Sequence, residues 1–245
     1  MSKLPERMRL DRLLANMGYG SRRDIQQWVR AKAITLDGAA VLDSDQHIVV
    51  TADLAGRMSI LGKPLDPPPG MILMLHKPLG VTCSHKEAGP IVYDLLPDRW
   101  RIRKPAISTV GRLDKDTSGL LLMTDDGALL HRLISPRGKS PKRYCATLAR
   151  PLRGDEIDIF GSGTLLLEQD DKPLLPAALE VLAPDSVRLT LTEGRYHQVR
   201  RMFAAVDNHV LTLHRDRICD LALPADLAAG SYRLLSPDDL VALGQ

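Results

Sequence analysis

The sequence predicts a chain in two parts, rich in short strands and poor in helices, and three observations predict it. Apolar residues recur at helical spacing near the N-terminus. Short apolar runs bounded by turn residues recur through the remainder, with few helical stretches. A proline-rich stretch, G-K-P-L-D-P-P-P-G, divides the two. Residues 1–61 are therefore expected to form a small basic module, 62–70 a semi-rigid spacer, and 71–245 the larger domain.

Length and composition narrow the class. The 245 residues suit one or two domains, and the 44% hydrophobic content supplies a core. No stretch is apolar enough to span a membrane, and the N-terminus lacks a signal-peptide apolar region, so no membrane partner is expected. Cys83, Cys145 and Cys219 are odd in number and widely spaced. They outline no disulfide framework and point to a reducing cytoplasm. No C-x-x-C pair and no metal-spaced histidine cluster occurs, which argues against a zinc site and against the zinc deaminases that also act on bases. No phosphate-loop or dinucleotide glycine pattern is found. Neither metal nor cofactor is expected.

In the first module, Leu10, Leu13, Leu14 and Met17 follow helical spacing, and Gly18 and Gly20 close that helix. Ser21 reads as an N-cap with Asp24 three residues on, and Ile25, Trp28 and Val29 as the buried face of a second helix. Ile34 to Val50 alternates around Asp37-Gly38, a hairpin signal. Residues 1–33 hold eight basic and three acidic residues, an excess larger than the +3 of the whole chain. Clustered charge on short helices suits phosphate; a solvated helix face fits the composition equally well.

In the larger part, Met71 to Leu75 is a short apolar strand leading into His76-Lys77-Pro78-Leu79-Gly80. Val110 to Asp126 is the most informative stretch. Asp114 and Asp116 sit among polar turn residues, Gly119 marks the turn, and Leu120 to Met123 reads as a buried strand. A carboxylate on a turn braced by a buried strand is both fixed and exposed. The stretch also imitates a calcium loop, with Asp114, Asp116, Ser118, Gly119 and Asp125 on loop positions. A short Asp in the bidentate position, extended flanks and the lack of a second loop exclude calcium. Arg132 to Arg143 is basic, lacks acids and contains two prolines and a glycine, so it reads as a loop. Tyr144 opens an extended run, Val187 to Leu191 alternates as a strand, and Val199, Met202, Phe203 and Val206 recur at helical spacing. Ser236-Pro237-Asp238-Asp239 reads as the cap of a terminal helix.

The run G-R-L-D-K-D-T-S-G-L-L-L-M-T-D-D-G resembles the central motif of the RsuA family of pseudouridine synthases. M-R-L-D-R-L-L-A, S-R-R-D-I and I-T-L-D-G resemble the S4-type RNA-binding domain that precedes the catalytic domain there. The resemblance covers about residues 8–240, with motifs in order. It implies an α+β fold, with a small S4-like α/β domain and a catalytic domain with a mixed, largely antiparallel sheet.

It further implies that Asp114 is the nucleophile, Tyr144 in K-R-Y packs on the target base, and Arg200 in H-Q-V-R-R-M pairs with Asp114. Phosphate contacts are expected at Arg9, Arg12, Arg22 and Arg23, and further RNA contacts at Arg112, Arg137, Lys142 and Arg195. Lys77 is expected to be architectural and His197 a structural or substrate contact. E-G-R-Y-H-Q-V-R-R-M is closer to the members that act on 16S rRNA than to large-subunit relatives. One departure is Ile218-Cys219-Asp220, where the family has glycines. The expected partner is 16S rRNA or a partly assembled small subunit, not DNA, bound by a monomer. Alternatives are a 23S rRNA enzyme, a non-catalytic assembly factor, or a hydrolase using Asp114 and Asp116.

Overall fold

The computed structural model describes residues 7–84, 88–135 and 140–244. Its contacts divide the chain into two compact units. One comprises Met1–Ile72, Leu96–Ser108 and Met123–Leu130; the other Leu73–Leu95, Thr109–Leu122 and His131–Gln245.

In the first unit, strand β1 (Arg7–Arg9) leads into α1 (Leu10–Asn16) and α2 (Arg22–Arg30). Leu10, Leu13, Leu14, Met17, Ile25 and Val29 share one buried cluster, and Trp28 packs on it half-buried. α2 opens with the expected capping box. Ser21 Oγ accepts from the Asp24 amide at 3.3 Å, and the Asp24 carboxylate accepts from the Ser21 amide at 2.8 Å. β2 (Ile34–Leu36) and β3 (Ala39–Ala40) form a hairpin whose turn residues Asp37 and Gly38 have φ of 51° and 80°. Two positive φ angles give the turn whose twist matches paired strands. β4 (His47–Val49) leaves that hairpin and pairs with β1, burying Ile48 in the common core. α3 (Leu54–Arg57), β5 (Met58–Ile60) and β6 (Lys63–Pro64) complete a sheet of order β3-β2-β5-β6, and α4 (Asp98–Arg101) follows later in the chain.

The 62–70 stretch, expected as a semi-rigid spacer, is bonded into this unit. β6 pairs with β5, Leu65 is buried in the core, and its amide donates to Met58 O at 2.9 Å. Gly70 N donates to Asp125 Oδ1 at 2.8 Å, and Arg103 donates to Pro67 O at 2.7 Å while pairing with Asp125 at 2.9 Å. Prolines lack amide donors, so side chains and flanking amides supply the bonds that hold the segment.

The second unit is built on one sheet. From there the chain order is β7 (Ile72–Lys77), a 3-10 turn at Val92–Leu95, β8 (Ser108–Thr109), β9 (Ser118–Thr124), α5 (Gly127–Ile134, whose first half is counted in the first unit), β10 (Lys142–Leu148), α6 (Glu156–Gly161), β11 (Ala178–Ala183), β12 (Ser186–Leu191), α7 (Gln198–Ala205), β13 (Val210–Ile218), β14 (Leu221–Ala222), β15 (Tyr232–Leu234) and α8 (Pro237–Ala242). The strands lie in the order β11-β12-β10-β13-β9-β7-β15, with β14 on β13 and β8 on β9. Pairings β10–β12, β10–β13, β11–β12, β13–β14 and β7–β15 are antiparallel, whereas β9–β13 is parallel. The sheet is thus mixed and largely antiparallel, as expected. Residues 132–134, read as loop from sequence, are the last turn of α5, because Leu129 and Leu133 place an apolar face inward.

One sheet face is covered by α7. Ala146 and Leu148 of β10, Val187, Leu189 and Leu191 of β12 and Leu213 of β13 join Val199, Met202, Phe203 and Val206 in one core. Phe160 of α6 meets Phe203 edge-on at 5.2 Å. Each fully buried Leu or Phe contributes about 2 kcal/mol.

Two register shifts between β10 and β13 decide which residues face that core. The first skips Leu211, which is exposed, so Val210 and Leu213 both point inward. The second skips Asp216, so that Arg215 stands directly opposite Tyr144. Arg215 is also the register partner of Gly119 on β9, and Tyr144 of Leu189 on β12. A single row, Leu189–Tyr144–Arg215–Gly119, therefore crosses four strands.

Gly119 is required at the end of that row. Its φ is 113°, and a Cβ there would lie 2.2 Å from Arg215 O. Cys219, where the resemblance leads to the expectation of a glycine, takes φ of 49° and donates its amide to Pro141 O at 2.8 Å. The glycine-like conformation is kept without the glycine. Gly119→Ala is expected to destabilise the protein by about 3 kcal/mol, through overpacking and a forbidden φ. A lowered denaturant midpoint at unchanged slope is the readout.

Candidate active site

Asp114 lies in the β8–β9 loop, with its side chain 34% exposed. The loop is closed from within by the Thr117 amide, which donates to Asp114 O at 3.1 Å, and from outside by two cations. Lys77, at the end of β7, is fully buried and donates to Thr117 O at 2.8 Å, Pro78 O at 3.1 Å and Lys115 O at 3.4 Å. Burial holds its ammonium below the usual lysine pKa. Arg200, on α7, donates to Asp116 O and to Val210 O, each at 2.9 Å. Charged donors on main-chain carbonyls fix the backbone of the three residues that follow Asp114 and leave its carboxylate part-exposed.

The carboxylate's side-chain partner among the described residues is His197, Nε2 to Oδ1 at 3.4 Å, an ion pair when the imidazole is protonated. His197 is the N-cap of α7 in the left-handed region, φ 49°, and stacks on Tyr196 with ring centroids 3.9 Å apart. The expected Arg200–Asp114 pair is therefore corrected. The Arg200 guanidinium reaches the main chain two residues beyond Asp114, and the imidazole takes the place beside the carboxylate.

Beside Asp114 opens a cavity of about 390 Å³, inside the range of roughly 300–1,000 Å³ common for small-ligand sites. Leu113, Asp114, Lys142, Tyr144, His197 and Arg215 are among its lining residues. A second cavity, about 340 Å³, adjoins Asp114 and includes Lys115, Asp116 and Arg200. Arg112, Tyr196 and His197 border both.

The other expected contacts divide into two groups. Arg12, Arg22 and Arg23 are exposed on the basic module. Arg9 is instead held by Asp11 at 2.8 Å and Asp45 at 2.5 Å, where it compensates the buried Asp11 carboxylate. Arg195 is likewise engaged internally. It donates to Asp170 at 2.8 Å, Glu193 at 3.2 Å, Lys172 O at 2.6 Å and Pro173 O at 2.5 Å, tying down the 170–173 segment. Arg9 and Arg195, expected at RNA, are thus both engaged within the chain. Arg137 lies outside the described residues.

Sequence reasoning did not single out Arg215. In L-H-R of β13 it stands two residues after the core residue Leu213, on the same strand face, and is 2% exposed. Its Nε donates to Leu120 O at 2.8 Å, and its guanidinium carbon lies 5.9 Å from the Tyr144 ring centroid. A cation on the inward phase of an alternating strand was the available signal.

The RNA pseudouridylate synthase family model matches residues 71–205, more than half of the chain. The chain belongs to that family. This pseudouridine synthase, an isomerase whose partner is RNA, also matches the S4 domain model over residues 8–50. It is 41% identical to the ribosomal small subunit pseudouridine synthase A of Escherichia coli K12, over 96% of this chain and 100% of that protein. It is 42% identical to the protein of the same description from Yersinia pestis, over 97% and 98%. A crystal structure described as a pseudouridylate synthase superposes with a TM-score of 0.67 at 34% identity, covering 96% of this chain and 99% of that one.

Loosening the Asp114 loop should slow chemistry more than binding. Arg200→Ala is expected to lower the single-turnover rate of the synthase by about 100-fold, with RNA affinity changed little, because a misplacement near 1 Å has that effect. Rates at saturating enzyme, set beside filter-binding affinities, make the comparison.

Proposed function

We propose that this synthase converts one uridine of 16S rRNA, in free form or in a partly assembled small subunit, to pseudouridine, with Asp114 as nucleophile. The observation that carries the reading is a half-exposed carboxylate on a clamped loop, at the edge of a cavity lined by the Tyr144 ring. The small-subunit description of the relatives supports the choice of RNA. The three free thiols fit a reducing cytoplasm.

The reaction is balanced within one nucleotide. The N1–C1′ bond breaks, the base turns, C5 bonds to C1′, C5 gives up its hydrogen as a proton, and N1 gains one. A stacked base cannot reach Asp114, so the nucleotide is extruded at a cost of a few kcal/mol. Phosphate contacts from Arg12, Arg22 and Arg23 offset that cost, and Arg112 holds backbone near the cavity mouth. Tyr144 stacks on the extruded uracil, a contact available to any base but fixed here by the cavity shape. His197 orients the Asp114 carboxylate.

Unmodified 16S rRNA carrying tritium at uracil C5 tests the reading. Wild-type protein should release tritium, and Asp114→Asn should bind the RNA but release none. Tight binding with no release from rRNA or from assembling particles identifies an assembly factor instead, and release only from 23S rRNA reassigns the substrate. A second measurement addresses the basic module. Replacing Arg12, Arg22 and Arg23 together by Ala should flatten the plot of log affinity against log salt by about 2–3 units, because each phosphate contact contributes about 0.7–0.9.

A further inference from the structure

The cavity contains a buried cation with no carboxylate beside it. Arg215 forms no ion pair among the described residues, its Nη2 has no hydrogen-bond partner among them, and its Nη1 makes only a 3.5 Å contact to Tyr144 Oη. Lys142 lines the same cavity and donates to Ser140 O at 2.9 Å. Burial, followed by the charge of Arg215, holds the Lys142 ammonium below its ordinary pKa. Arg215 is withdrawn from water and Lys142 is half-buried beside it, an arrangement that costs free energy unless negative charge or strong acceptors meet the two cations. Asp114 lines the same cavity but forms no ion pair with either cation, its partner being His197 at 3.4 Å.

We propose that Arg215, with Lys142 beside it, binds the carbonyl oxygens of the extruded uracil and stabilises the negative charge that those oxygens acquire when N1–C1′ breaks. This rests on the synthase reading above and extends it to the base. Breaking N1–C1′ heterolytically leaves the bonding pair on the pyrimidine, delocalised over N1, O2 and O4. Addition of a carboxylate to the ring likewise sends charge to a carbonyl oxygen, so the role holds for either site of attack. The pair is used again when C5 bonds to C1′ and loses its proton.

Geometry favours the base over a phosphate as the occupant. Arg215 is 2% exposed and stands in the sheet row between Gly119 and Tyr144. An extruded base is the tip of its nucleotide and reaches such a position while the sugar–phosphate stays at the mouth. A phosphate would have to bring both flanking sugars with it. A uracil stacked on Tyr144 also lies near the guanidinium, whose Nη1 already approaches the phenol oxygen. Preorganised donors aimed at developing charge in a site withdrawn from water are among the strongest catalytic devices.

The test uses 5-tritiated rRNA transcripts made with uridine, with 2-thio- or 4-thiouridine, or with phosphorothioate uridine linkages. Wild type, Arg215→Met and Arg215→Lys are compared in single turnover, with folding checked by thermal unfolding and RNA binding measured separately. Arg215→Met is expected to slow the reaction by about 100-fold at nearly unchanged affinity, and Arg215→Lys to recover part of it. At least one base thio-substitution should slow wild type more than Arg215→Met, since sulfur accepts hydrogen bonds poorly. A purely structural arginine would show equal thio effects in both proteins, which overturns the inference. Loss of the coupling at the base and its appearance with phosphorothioate overturns it in favour of a phosphate site. If Arg215→Met fails to fold, the same coupling is read from Arg215→Lys. Wild type inactive on the uridine transcript removes the synthase reading itself, and the inference with it.

Discussion

The close approach of β9 to β13 at Gly119 is the constraint on which the catalytic unit depends. Main chain meets main chain there with no room for a Cβ, the nearest carbonyl oxygen being 2.2 Å from where one would stand. The parallel pairing of these two strands sets the register of Arg215 against Gly119, and the antiparallel pairing of β13 with β10 sets Tyr144 against Arg215. Asp114 lies five residues before Gly119, so the same contact determines where its loop ends. Three segments distant in sequence are thereby aligned by backbone hydrogen bonds, which are short-ranged and directional.

Rigidity at Asp114 comes from a division between charge and backbone. Lys77 and Arg200 direct their donors at the carbonyls of Lys115, Asp116 and Thr117, not at the carboxylate. A cation held on a carboxylate would compete with the carboxylate's chemistry; a cation held on neighbouring carbonyls positions it and leaves it available. His197, which is 40% exposed, is a softer partner at 3.4 Å. The site therefore combines a stiff loop with a lightly held functional group, the arrangement that preorganisation requires.

Much of the molecule was legible from local patterns. The capping boxes at Ser21 and Ser236, the Asp37-Gly38 turn and the alternating β12 follow from short-range chemistry and appear where expected. Lys77 was read as architectural, and its three carbonyl partners show how it serves. The partners of Arg200, Arg195 and Arg9 were not legible. An arginine side chain is long enough to reach several acceptors, and only the folded neighbourhood decides between carbonyl, carboxylate and solvent. Segment 62–70 illustrates the same limit, since its prolines signalled extension but not that Asp125 and Arg103 would secure it.

The sequence by itself determined the class of fold, the motifs that place the chain in its family, and the aspartate loop. Each of these is encoded in residues adjacent in the chain. Tertiary structure alone decided the row across the sheet, the exchange of His197 for Arg200 beside Asp114, and the burial of Arg215 in the cavity wall. The row and the burial of Arg215 depend on two register shifts in β13, and a shift of one residue reverses which side chains face inward. No local pattern records such a shift, because it is settled by the pairing of strands contributed from distant parts of the chain.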